Sequence, residues 1–89
     1  MNTMKKLEKI LKVFANARRL AILAHLCARK EATVGNVSRE IKLSFKSTSR
    51  HLAVLFSADL VEREQRNLEV YYSVSKSGRT MFNQVFSIL

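Results

Sequence analysis

The chain has 89 residues, 47% of them apolar, and 16 Lys and Arg against seven Asp and Glu, for a formal net charge of +9. That length fits one domain, and a chain so short buries only about 60–65% of its unfolded surface, so it is marginal alone. The composition excludes a disordered chain, no apolar run approaches the ~20 residues of a bilayer span, and a single cysteine excludes an internal disulfide.

Such a charge favours polyanionic partners, nucleic acid first. It is unevenly spread. Residues 1–30 carry eight Lys/Arg against Glu8 alone, whereas residues 59–75 carry Arg63 and Arg66 against Asp59, Glu62, Glu64 and Glu69. The opening MNTMKKLEKILKVF interleaves lysines with apolar residues and has no signal-peptide pattern, so the expected compartment is the cytoplasm, with no membrane partner.

In chain order, residues 4–14 place Met4, Leu7, Ile10, Leu11 and Phe14 at helical spacing, with Lys5, Lys9 and Lys12 on another face. ANARRLAILAHLCARK predicts a second helix, capped by Asn16, with Leu20, Leu23, Ala24 and Cys27 as its apolar stripe. Glu31–Thr33 reads as a short extended segment. Thr33 caps a third helix over 34–42, and Ser44 caps a fourth over about 45–57, with Thr48, Leu52, Leu55 and Phe56 facing inward. A connection that short between the third and fourth helices forces a steep crossing, the geometry of a helix-turn-helix.

The period then changes from 3.6 to 2. LVERE (60–64) and LEVYYSVS (68–75) flank Gln65-Arg66-Asn67 and predict a hairpin, with Leu68, Val70, Tyr72 and Val74 on its buried face and Asn67 at positive φ. Ser75 caps a last helix, 76–89, whose apolar residues are Met81, Phe82, Val85, Phe86, Ile88 and Leu89. The expected architecture is a mainly α, single winged helix-turn-helix domain over 1–89 with a small β-hairpin. Its two terminal helices are too apolar to stand alone, which predicts a homodimer formed through them.

Four stretches in this order resemble one family. NARRLAILAHL, TVGNVSREIKLS, SRHLAVLFSADLV and VYYSVS together resemble the ArsR/SmtB group of dimeric transcriptional repressors, over about Leu11 to Val74. The resemblance implies a sequence-specific, double-stranded DNA-binding regulator, a homodimeric repressor on an inverted repeat. The chain departs from the family where glycine is usual: Lys42 stands in the helix-turn-helix turn, Asp59 before the Leu-Val pair and Asn67 at the wing tip. Phe45 stands where the family often has Gln. The family's Cys-x-Cys metal site is missing from VGNVSREI, and the last helix has no His, Asp, Glu or Cys, so the variant implied senses no metal and carries no cofactor.

The residues expected at DNA are Lys46, Ser47, Ser49 and Arg50 at the outer, N-terminal end of the fourth helix, where a major-groove helix reads base edges. The resemblance adds His51, in a phosphate-contacting or packing role. Arg19, at a helix N-terminus where its charge opposes the dipole, meets either a carboxylate of the fold or a phosphate. Arg66, at the wing tip among acidic neighbours, enters the minor groove or touches backbone. Phe45 reads as either a core residue or a thymine-methyl contact. No phosphate loop, nucleophile–base pair or paired catalytic carboxylates are present, so no enzyme is expected. Other readings are a winged-helix module for RNA or protein, a membrane-surface protein using the basic first helix, and a redox-responsive regulator using Cys27. The inducer is unknown.

Overall fold

The computed structural model describes residues 2–89. Its elements are α1 (Asn2–Phe14), α2 (Ala17–Ala28), β1 (Ala32–Thr33), α3 (Val34–Ile41), α4 (Phe45–Ser57), β2 (Val61–Arg66), β3 (Glu69–Val74) and α5 (Lys76–Phe86). Each of the four expected caps takes up an orphan amide at the start of its helix. Asn16 accepts from the Arg19 amide at 3.0 Å, Thr33 from Asn36 at 3.1 Å, Ser44 from Ser47 at 3.1 Å and Ser75 from Gly78 at 2.9 Å. At Thr33 the Asn36 side chain accepts from the Thr33 amide in return, closing a capping box. Each cap contributes about 1 kcal/mol, so helix starts are firmly placed in a chain with no proline.

The core joins Ile22, Leu23 and Leu26 of α2, Val37 of α3, Leu52 and Leu55 of α4, and Leu60 and Val61 at the entry to β2. Val13 and Phe14 dock the end of α1 on it, and Phe82 docks α5. The buried stripe of α2 is displaced from the expected one. Ile22 and Leu26 are fully buried with Leu23, whereas Leu20 and Cys27 are half-buried and Ala24 is exposed. Helix α2 is apolar over most of its circumference, so spacing alone does not choose the inward side.

The sheet has three antiparallel strands in the order β1-β3-β2. Ala32 pairs with Tyr72 and Thr33 with Tyr71, and the hairpin register runs from Val61–Val74 to Arg66–Glu69. The hairpin loop is therefore Asn67-Leu68, one residue shorter than expected, and Arg66 belongs to the strand. Leu68, expected on the buried face, is 97% exposed, because the hairpin projects beyond the core and only Tyr72 of the alternating set is fully covered. Helix α5 ends at Phe86, three residues before the expected end, and Phe86, Ile88 and Leu89 are exposed.

Among the described residues, three other than glycine have positive φ: Lys42 (57°), Asp59 (61°) and Asn67 (57°). These are the three positions singled out by their missing glycines. Both helix ends close in the same way, with the Leu43 amide donating to the Ser38 carbonyl and the Leu60 amide to the Leu55 carbonyl, each at 3.0 Å. A left-handed residue before the donor makes that bond possible. Asp and Asn tolerate this region better than Lys does.

The start of α5 is pinned to the end of α4. The Ser75 hydroxyl donates to the Asp59 carbonyl at 2.8 Å, and the Ser75 amide donates to the Leu60 carbonyl at 3.0 Å. A Cβ on Gly78 would lie 2.1 Å from the Leu60 carbonyl oxygen. Gly78→Ala forces two backbones apart and is expected to cost about 2–3 kcal/mol, read as a lower urea midpoint. Lys42→Gly relieves the left-handed lysine against a smaller gain in chain entropy. It is expected to raise stability by about 0.5–1 kcal/mol in the same titration.

Candidate nucleic-acid interface

Helices α3 and α4 meet through Lys42, Leu43 and Ser44. Thr48, Leu52 and Leu55 of α4 are each fully buried, so the opposite face of the helix has one orientation available, outward. Lys46 and Arg50 are exposed there, and Ser47, Ser49 and His51 are half-buried beside them; Phe45, seven residues before Leu52, is exposed at the start of the other side, in a groove shared with Arg39 of α3 and with Leu68, Glu69, Val70 and Tyr71 of the wing. No acidic residue stands in the first turn of α4. Its amide dipoles and Lys46 therefore present unopposed positive potential, as an anion-binding helix start does. The expected contact set on α4 thus shares one surface.

Two cations were not anticipated by the motif. Lys42 in the turn and Arg39 on α3 are both exposed, and the helix-turn-helix placement was the signal that could have found them. Neither they nor Lys46 or Arg50 pair with a carboxylate among the described residues.

Among the described residues, Arg19 meets no carboxylate of the fold. Its Nε donates to the Val13 carbonyl at 2.8 Å and its Nη2 to the Lys12 carbonyl at 3.2 Å, so it closes the C-terminal end of α1. The same guanidinium holds Nη1 3.4 Å from His51 Nδ1. Since arginine only donates, Nδ1 accepts, and the imidazole proton is assigned to Nε2. Burial, with Arg19 and then Arg18 nearby, pulls the His51 pKa below its ordinary 6.5. His51 is therefore neutral at pH 7 and carries an Nε2–H donor.

Arg66 is also engaged within the fold. It makes a bidentate pair with Glu31 at 2.6 and 2.8 Å, reaches Glu64 at 2.9 Å, and lies 4.6 Å from the Tyr71 ring centroid. Glu31, in the turn between α2 and β1, is held below the usual carboxylate range chiefly by that hydrogen bond. The arginine thus clips the wing to the body. Arg63 of the wing stacks on Phe56, its guanidinium carbon 3.9 Å from the ring centroid.

Among the described residues, no group of three or more His, Cys, Asp or Glu side chains comes together in a way that could hold a metal ion. Cys27 is half-buried, and burial pushes its thiol up more than Arg79 draws it down, so it is held as thiol. No helix is long and apolar enough to cross a membrane.

The α3–α4 pair joined by a three-residue turn, a second helix with one committed and one cationic face, and the hairpin beside it define a winged helix-turn-helix, the DNA-binding class of transcriptional regulators. The model for the bacterial regulatory proteins of the arsR family matches residues 16–63, from the cap of α2 into β2. HlyU of Vibrio cholerae, a transcriptional activator, is 38% identical over 68 residues, which cover 76% of this chain and 62% of that protein. Its solved reduced form superimposes with a TM-score of 0.84 at 32% identity, over 98% of this chain and 92% of that one. The arsenical resistance operon repressor of Bacillus subtilis is 28% identical over 72 residues, 81% of this chain and 69% of that protein. A homodimeric winged helix-turn-helix DNA-binding domain from Mycobacterium bovis, Mb0332, has a TM-score of 0.89 at 25% identity, over 98% of this chain and 81% of that one. This chain belongs to the arsR family of DNA-binding transcriptional regulators, which are not enzymes.

A base with a lowered folded-state pKa binds fewer protons folded than unfolded. The stability tied to His51 is complete above about pH 6.5 and declines as pH falls through 6.5 towards the depressed value. The urea midpoint of the wild type is expected to drop between pH 7 and pH 5, and His51→Gln to remove part of that slope. Glu31 does not confuse the comparison, because its depressed pKa places its loss at more acid pH.

Proposed function

We propose that this protein is a cytoplasmic, homodimeric repressor that binds an inverted repeat in duplex DNA with α4 in the major groove. The observation that carries the reading is the division of α4. Thr48, Leu52 and Leu55 are sealed in the core, and Lys46, Ser47, Ser49, Arg50 and His51 remain on the opposite side of a helix start with no acid in its first turn. Arg50 bonds a guanine edge in two places, Lys46 takes guanine or phosphate, and the serines allow the helix axis to come close to the bases. His51 donates from Nε2 to a phosphate. Arg19 acts through His51 as a positioning residue. Arg66 reaches DNA only by exchanging Glu31 and Glu64 for phosphate, so it contributes less than the residues of α4.

Dimerisation is supported by two apolar surfaces. Met4, Leu7 and Leu11 stand exposed along α1, and Phe86, Ile88 and Leu89 stand exposed at the end of α5, beside an apolar groove with Leu20, Ala21 and Ala24 of α2. A second copy covers both, as befits a relative of the homodimeric Mb0332 domain. Two copies of α4 then face successive major grooves about one helical turn, or ~34 Å, apart. Binding at a promoter excludes the polymerase, which is repression.

The test is a salt-titrated binding assay on random duplex DNA, with selection of the bound sequences. A palindromic motif is expected, and Arg50→Ala should lower affinity for it by about 1–3 kcal/mol while relaxing one base position. Lys46→Ala should weaken all sequences more evenly and reduce the salt slope by about one for each phosphate no longer neutralised. Leu7→Glu, an exposed change, should give a monomer in sedimentation and abolish the palindrome. A wild-type monomer at micromolar concentration, or no preference for duplex over single-stranded RNA, would overturn the reading.

A further inference from the structure

The apolar residue at the start of the DNA-facing helix has no structural employment. Phe45 is 62% exposed and outside the core, whose contributors from α4 are Thr48, Leu52, Leu55 and, in part, Phe56. Its position is nonetheless fixed. Ser44 caps the helix through the Ser47 amide, which makes Phe45 the first residue of α4, one position before Lys46 and five before Arg50. An exposed aromatic ring at the edge of a helix start that carries Lys46 and no acid in its first turn calls for an apolar ligand on an otherwise anionic partner.

We propose that Phe45 reads thymine: its ring covers the C5-methyl group of a thymine in the major groove, at the base pair facing the start of α4. This rests on the reading of α4 as the duplex-binding helix. Thymine is the one standard DNA base that offers a methyl group in the major groove. The selectivity has a second, negative part. A phenyl ring offers no hydrogen bond, so covering guanine N7 and O6, cytosine N4 or the adenine N6–N7 pair leaves those groups dehydrated and unpartnered. Thymine presents its methyl beside a single acceptor, O4, and a ring seated over the methyl leaves O4 open to water, so thymine loses least. Charge distinguishes this occupant from an apolar protein segment. Arg39 lines the groove with Phe45, as do Leu68, Glu69, Val70 and Tyr71 of the wing, and Lys46 follows Phe45 in the chain; the two cations outnumber the one acid, Glu69, a setting that suits a polyanion.

The experiment starts from the duplex selected by the wild type and replaces thymine by deoxyuridine, which removes only the methyl group, at each enriched position in both half-sites. One position is expected to lose about fourfold in affinity per half-site, the worth of one buried methyl. 5-Methylcytosine paired with guanine at that position should bind more tightly than cytosine. Phe45→Ala should bind the thymine and uracil duplexes equally, and Phe45→Gln should move the preference at that position to adenine, which glutamine bonds in two places. Since the ring is exposed, both variants are expected to keep the wild-type unfolding midpoint. If the wild type binds both duplexes equally, or if Phe45→Ala keeps the thymine preference, the role of Phe45 falls and duplex recognition by α4 stands. If no duplex sequence is enriched by the wild type, duplex recognition falls and takes the role of Phe45 with it.

Discussion

The turn of Lys42, Leu43 and Ser44 governs everything on the outward surface of α4. Lys42 occupies the left-handed region, which lets the Leu43 amide close the end of α3 on the Ser38 carbonyl and immediately frees Ser44 to cap α4. No residue is left over for a looser path. The crossing of the two helices is set by backbone hydrogen bonds rather than by side-chain packing alone, and burial of Thr48, Leu52 and Leu55 then fixes the rotation of α4 about its own axis. Angle and rotation together determine which side chains face outward. A lysine in this conformation is costly on local grounds, and it is exposed in the turn that leads into Lys46 and Arg50 of α4.

The electrostatics divide the molecule. In the wing, the two arginines are already engaged, Arg63 on the face of Phe56 and Arg66 between Glu31, Glu64 and Tyr71. The remaining wing charges are acidic. Lys42, Lys46, Arg50 and Arg39 lack carboxylate partners among the described residues, and all belong to α3, α4 or the turn between them. The helix-turn-helix thus keeps four uncompensated cations, as residues 1–30 keep Lys6, Lys9, Arg18, Arg29 and Lys30 among the described residues, while Arg66 of the wing is engaged in holding the wing to the body.

The elements most legible in the sequence were those specified by short-range chemistry. Asn16, Thr33, Ser44 and Ser75 each name a helix start because a side-chain oxygen has one nearby amide to satisfy. The left-handed positions at Lys42, Asp59 and Asn67 were legible because a family pattern expects glycine there and backbone sterics do not depend on what replaces it. What escaped was set by tertiary contact. The buried side of α2 was ambiguous because most of its sides are apolar. The partners of Arg19 and Arg66 within the chain, two carbonyls of α1 and a carboxylate 35 residues away, went unnamed because only the fold brings them near. Phe45 was ambiguous for the complementary reason: an aromatic residue announces burial, and its exposure is known only when the rest of the core is seen to close without it.

A single guanidinium joins the two ends of the regulator. Arg19 holds the last carbonyls of α1 with two donors and His51 of α4 with a third. On the proposed reading, in which α1 helps assemble the dimer and α4 enters the groove, it ties the one element to the other. The tie is rigid at the arginine, which is planar and always charged, and adjustable at the histidine, whose Nδ1 must stay unprotonated to accept. Protonating His51 would turn an accepted hydrogen bond into a third positive charge beside Arg18 and Arg19. The depressed pKa of His51 therefore does more than record burial. It keeps the link between α1 and α4 intact across neutral pH and leaves Nε2 as a donor, the form a phosphate oxygen accepts from.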